Sequence, residues 1–259
     1  MLFGGALEAQ FRVLHALMLR ETRTRFGVHQ LGYLWALIEP LMWIATFYLL
    51  FMFIDRRLPP GIGMFSFLTT GLIPFMLFRQ TLTQAMNAIS ANQALLFYPM
   101  IRPLDLVLAR MGLEVATLLA VFIIILGFNA LYVGELSVQK PLQVLGGLFL
   151  AGLLGTGLGL LSTSLSTFIP AVLRVVPLVL RPMIWISGVW FTANELPTGV
   201  RDIMMWNPLL QITELLRDGW YSQYTAHDLD LAYVAAWILI PTYFGLVLER
   251  LARRRLELG

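Results

Sequence analysis

Cysteine is absent from this 259-residue chain, which excludes disulfides and thiolate metal sites and leaves the compartment open. Lysine is almost absent as well: Lys140 is the only one, and it sits between Gln139 and Pro141. A phosphate-binding P-loop needs a lysine followed by Ser or Thr, so the chain has no nucleotide site of that kind. Histidine is scarce. His15 and His29 have no carboxylate or histidine at metal-ligand spacing, and the scattered serines and three histidines form no nucleophile constellation. A cleavable signal peptide is not expected, because Glu8, Arg12 and His15 interrupt the stretch where its apolar region would lie. Charged residues make up only 13% of the chain.

What is abundant is apolar surface. Hydrophobic residues make up 58% and the mean hydropathy is +0.77, more than one soluble core can bury. A hydrocarbon core of ~30 Å takes ~20 mostly apolar residues per helix. Six stretches qualify, at residues 32–54, 65–82, 113–131, 142–165, 175–191 and 231–248. Runs such as VATLLAVFIIILGF (residues 115–128) do not alternate as barrel strands do. The expected fold is therefore all-α, a polytopic membrane protein with six transmembrane helices in one domain. With the N-terminus inside, the inner ends and loops hold twelve arginines, against five basic residues in the outer loops. That asymmetry favours both termini in the cytoplasm. The net charge of +3 is thus a topology signal, and no separate basic patch argues for nucleic acid.

Leu7, Phe11, Leu14 and Met18 recur at helical spacing opposite Glu8, Arg12, His15 and Arg23, as in an amphipathic helix lying on the lipids of the inner leaflet. The stretch GTGLGLLSTS (residues 155–164) lacks the G-x-G-x-x-G spacing and lies inside a span. Gly147, Ala151, Gly155, Gly159 and Thr163 recur every four residues, a smooth stripe on which another helix can pack closely. Polar residues at depth are rarer. Glu39 lies about 10 Å into the first span and Arg181 within the fifth, where an unpartnered charge costs ~3 kcal/mol. Both favour a polar cavity or a subunit seam. Glu114 and Arg174 read as interfacial. In the outer segment at residues 195–221, Asn207 and Pro208 suit a helix start. Leu209, Ile212 and Leu216 then fall on one face, with Gln211, Glu214 and Asp218 on another. The segment reads as two short re-entrant helices, with Trp206, Trp220, Tyr221 and Tyr224 at the membrane interface.

Four ordered segments carry a resemblance: RTRFGVHQLGYLWALIEPL (residues 23–41), GLIPFMLF (71–78), ANQALLFYPMIRPLD (91–105) and WNPLLQITELLRDGWY (206–221). Together they resemble the membrane subunits of ABC-2 type exporters, and within these the capsular polysaccharide export permeases of Gram-negative bacteria. The resemblance implies a homodimer in the inner membrane joined to two copies of a separate cytosolic P-loop ATPase, which binds the ATP and Mg; no cofactor is expected in this chain. It implies a lipid-linked polysaccharide cargo and periplasmic and outer-membrane export partners. It also implies a cytoplasmic coupling helix near residues 85–103. There Leu95, Leu96, Phe97 and Tyr98 form an apolar knob, Asn92, Gln93 and Arg102 its polar rim, and Pro99 and Pro103 the exit. A helix resting on lipid headgroups is the rival reading of that segment. Aromatic residues such as Trp43, Phe47, Trp190 and Phe191 are expected along the cargo path, where sugar rings can lie against them, with Arg174 and Arg181 facing anionic groups. Motif residues Trp206, Asn207, Pro208, Glu214, Arg217 and Asp218 mark the re-entrant segment. O-antigen and teichoic acid permeases share this architecture, and an ion-coupled transporter is the more remote alternative.

Overall fold

A computed structural model of the chain describes residues 2–26, 31–98, 101–132 and 138–257. Among them every regular element is helical. In chain order these are α1 (Leu2–Phe26), α2 (Leu31–Phe53), α3 (Met64–Ala91), α4 (Pro103–Tyr132), α5 (Pro141–Ser166), α6 (Val172–Ile186), α7 (Thr198–Met204), α8 (Pro208–Trp220) and α9 (Leu231–Glu257), with short 3-10 turns at Gln93–Phe97 and Ala193–Glu195.

Among the described residues, four segments are long and apolar enough to cross a membrane: Leu34–Phe53, Pro103–Asn129, Pro141–Ser166 and Leu231–Leu251. The other two expected spans differ for physical reasons. Helix α3 has the length, at 28 residues, but Thr69, Thr70, Arg79, Gln80, Thr81 and Thr83 dilute its apolarity. It can carry them because it is the axis of the bundle, packed by α2, α4, α5 and α8, and its threonines return their hydroxyls to carbonyls one turn back. Helix α6 has only 15 residues, about 22 Å at 1.5 Å per residue, short of the ~30 Å core. It stops where Gly188 takes φ 72°, a backbone suited to glycine; a Cβ there would also lie 2.6 Å from Leu210 Cδ1.

The small-residue stripe of α5 does what its spacing predicts. A Cβ on Gly155 would lie 2.4 Å from the Phe78 carbonyl oxygen, and one on Gly159 2.6 Å from Ala85 Cβ. Ala151 is fully buried, Gly147 backs onto Leu216 of α8, and the Thr163 hydroxyl donates to Ala85 O at 2.9 Å. Off this stripe, Gly157 and Gly245 admit α9 against α5 in the same way. Close backbone approach maximises packing where lipid removes any hydrophobic drive between helices.

Helix α1 is held by protein as well as by its apolar pattern. Leu17 is buried, with Val13, Leu14 and Met18 packed beside it against Leu106, Val107 and Met111 of α4, while Phe11 is 72% exposed. The Glu21 carboxylate pairs with Arg110 at 2.5 Å, with both side chains under 15% exposed. Glu114, expected at the interface, is instead buried in the bundle.

Candidate functional site

Helix α2 places Glu39, Trp43 and Phe47 at four-residue spacing, one face of a helix. That face meets α3 and α6 around a cavity of about 520 Å³ lined by Glu39, Trp43, Arg79, Gln84, Pro177 and Arg181 among others. Glu39 pairs with Arg79 of α3 at 3.5 Å; Arg181 lines the same cavity but is not its ion-pair partner. The Arg79 guanidinium also lies 6.0 Å from the centroid of the Phe75 ring, an approach a cation favours. A depth charge inside a bilayer needs a partner or water, and Glu39 has both a cation and a wet-sized cavity.

Above Glu39 the aromatic residues form a continuous series. Trp43 stacks on Phe47 with centroids 5.8 Å apart. Phe47 lies 3.7 Å from Trp190, and Trp190 contacts Trp185 at 5.7 Å and Phe51 at 6.2 Å. Trp190 is buried in the middle of the series, while Trp43, at the cavity wall, and Trp185 are exposed. Of the expected path residues, Glu39, Trp43, Phe47, Arg181 and Trp190 thus converge. Arg174 is exposed seven residues before Arg181 on α6. Phe191 packs against the core and offers its carbonyl inward.

Beyond the end of α3, where a coupling helix was expected, α3 runs to Ala91 and is followed by a five-residue 3-10 turn, Gln93–Phe97. Its knob divides. Phe97 and Tyr98 are 88% and 62% exposed, whereas Leu95 and Leu96 pack against the α1 and α4 cluster. Asn92, expected on the rim, is buried: it accepts from Arg20 Nη1 at 3.1 Å and donates to Ala88 O at 3.2 Å and Glu21 Oε2 at 3.5 Å. It ties the turn to α1. Arg102 is exposed, and its backbone N–H donates to Asp105 Oδ2 at 3.0 Å, which caps α4. Pro99 and the side chain of Gln93 lie outside the described residues.

The family described as ABC-2 type transporter matches residues 12–221. The chain belongs to it. As an ABC-2 chain it is a membrane subunit, and it is similar along nearly its whole length to three kinds of relative. The polysialic acid transport protein KpsM of Escherichia coli is 33% identical over 246 residues, 95% of each chain. The capsule polysaccharide export inner-membrane protein CtrC of Neisseria meningitidis is 29% identical over 251 residues, 96% of this chain and 92% of the relative. The O-antigen export system permease protein RfbA of Klebsiella pneumoniae is 21% identical over 243 residues, 92% of this chain and 91% of the relative.

In this ABC-2 chain the segment at residues 195–221 forms two short helices, α7 and α8. The Asn207 side chain accepts from Leu209 N at 3.0 Å and donates to Ile186 O at 2.8 Å, so it caps α8 and pins the end of α6 together. The expectation was an apolar and a polar face on α8, with the aromatic residues at the membrane interface. Instead Gln211, Glu214, Trp220, Tyr221 and Tyr224 are all buried, and only Trp206 is exposed. The polar face can be buried because it supplies its own partners. Arg217 is completely buried, paired with Glu214 at 3.3 Å, donating to Phe191 O at 2.7 Å and lying 4.2 Å over the Phe67 ring. The Tyr224 hydroxyl donates to Glu214; burial, with the adjacent carboxylate, pushes that phenol well above its usual range. Asp218, on the same helix, is different. Partial burial pushes its carboxyl up, but hydrogen bonds from Gln143, Lys140 and Ala226 N–H outweigh it and hold the group below the usual carboxylate range. Sequence reasoning missed Arg79, Gln80 and Gln84 in the Glu39 cavity; Gln80 and Gln84, four residues apart on one face of α3 beside Arg79, were the available signal.

Proposed function

We propose that this chain is the permease subunit of an ABC exporter that moves lipid-linked capsular polysaccharide from the cytoplasm to the periplasm. The observation that carries the reading is the end-to-end similarity to KpsM, at 33% identity with 95% of each chain covered. The O-antigen reading ranks below it because RfbA stands at 21%. Two copies would assemble in the inner membrane, with both termini in the cytoplasm and α3, together with α6 and the chain that continues beyond Ile186, completing six passes. Two copies of a P-loop ATPase, which bind the ATP and Mg, would dock on them. Phe97 and Tyr98 support that docking: exposed aromatic side chains in a membrane protein's connecting turn need a cover. Nucleotide-driven closure of the ATPases would then tilt α3 through its 3-10 turn and widen the path beside Glu39 and Trp43. Periplasmic and outer-membrane proteins would receive the polymer.

The test is loss of the gene in its native host. Finished polymer should accumulate inside the cell and disappear from the surface, and the tagged protein should co-purify with a P-loop ATPase. Surface polymer persisting after the loss would overturn the cargo. Transport by the chain alone in vesicles on an ion gradient would overturn the ATP-driven class.

A further inference from the structure

The cavity between α2, α3 and α6 carries more positive than negative charge. Glu39 is the only carboxylate among its lining residues, against Arg79 and Arg181. Gln80, Thr83 and Gln84 add amides and a hydroxyl along one wall. Among the described residues no hydrogen bond or ion pair holds the Arg181, Gln80 or Gln84 side chains. The pair that does exist is loose: Glu39 and Arg79 meet at 3.5 Å with side chains 37% and 34% exposed. Arg79, Thr83 and Asn87 fall at four-residue spacing along α3, and Arg174, Pro177 and Arg181 at three and four along α6. Each set lies on one helical face. The α3 face leads toward the 3-10 turn, and the α6 face begins at Arg174, two turns before Arg181.

We infer that this cavity is an oxyanion-binding site for the acidic part of the cargo, a phosphodiester or a sugar carboxylate, and that Glu39 is its resident counter-ion. Two guanidinium groups within one cavity suit the paired, charge-bearing oxygens that a phosphodiester and a carboxylate share. In the empty site Glu39 neutralises Arg79, which avoids an unpaired charge at depth. An arriving anion replaces the Glu39 carboxylate on Arg79 and takes Arg181 as a second partner, and the displaced carboxylate competes to release it. Binding is therefore reversible where two unopposed arginines would hold a polyanion too tightly for transport. The inference deepens the export reading, because it names the portion of the cargo that the permease grips.

The experiment measures binding and does not depend on export. The permease is placed in phosphatidylcholine nanodiscs, and fluorescence of Trp43 and its neighbours is titrated with dihexanoyl phosphatidylglycerol, with a glucuronic acid tetramer, and with dihexanoyl phosphatidylcholine as the zwitterionic control. The expected result is saturable binding of an anionic probe, weakened about tenfold or more by Arg79→Gln and by Arg181→Gln through loss of a charge-assisted contact. Glu39→Gln should tighten it about threefold or more by freeing Arg79. That opposite sign separates a counter-ion from a structural pair, for which both substitutions only weaken or do nothing. Should Arg79→Gln fail to fold, Glu39→Gln and the exposed Arg181→Gln decide the matter. Response to the phosphodiester alone assigns the site to the lipid end, and response to the glucuronate alone assigns it to the glycan. Equal binding of the control, or unchanged or weakened binding in Glu39→Gln, overturns the inference. The export reading would still stand or fall on polymer accumulation.

Discussion

Replacing Gly155 by alanine tests whether the α3 and α5 backbones must touch. The added methyl would lie 2.0 Å from Thr81 Oγ1 and 2.4 Å from the Phe78 carbonyl oxygen. The hydroxyl cannot simply turn away, since it donates to Leu77 O at 2.7 Å and Phe78 O at 3.0 Å. The carbonyl belongs to the α3 backbone, so the two helices must separate by on the order of 1 Å, and overpacking of this kind costs about 1–3 kcal/mol. Alanine's better helix propensity returns up to about 1 kcal/mol, so the expected net loss is about 0–2 kcal/mol, and the overpacking of about 1–3 kcal/mol shows in full against a glycine with open space. Gly146, on the same helix, has nothing within 4 Å of its would-be Cβ, and Gly146→Ala should be neutral or slightly stabilising. The assay is thermal loss of monodisperse protein in one detergent, with both variants side by side. Equal stability of the two would refute the close-contact account of the α5 stripe.

Three further outcomes are expected. Phe97→Asp with Tyr98→Asp should insert and fold normally, because both side chains are exposed, yet reduce ATP-driven export at least about tenfold; wild-type export would remove the coupling role. Arg217→Met should cost about 3–5 kcal/mol by stranding the buried Glu214 carboxylate, and adding Glu214→Gln should restore part of that stability in a denaturant titration; no recovery would disprove the pairing account. A double-mutant cycle on Glu21 and Arg110 should give a coupling above the ~0–1 kcal/mol of exposed pairs, because both side chains are under 15% exposed. Additive stability changes would count against a tether between α1 and α4.

Signals with a local period were legible without any structure. The four-residue recurrence from Gly147 to Thr163 sets one face of α5 whatever it meets, and α3 and α8 do lie there. Asn207 with Pro208 starts α8 because the cap and the missing N–H act within one turn. The outward Phe97 and Tyr98 were likewise marked by apolarity in a connecting segment. What composition could not separate was an interface from an interior. Trp220, Tyr221 and Tyr224 have the same chemistry whether they sit among headgroups or against Ser66, Phe122 and Glu214, and the structure buries all three.

Residue order alone settled that the chain is a bundle of long apolar helices, that a helix starts at Pro208, and which helix carries a smooth face. These depend on neighbours within a turn or two and on transfer of side chains from water. Tertiary packing decided which charges meet across helices, Glu39 with Arg79 and Glu21 with Arg110, whereas Glu214 with Arg217 is a pair one turn apart on α8 that packing buries. Two of these ion pairs join different helices, and their partners stand 40 or more positions apart in the chain. The physical reason is that a charge in low dielectric binds whatever opposite group the packing brings within about 4 Å, and that distance is a property of the assembled helices.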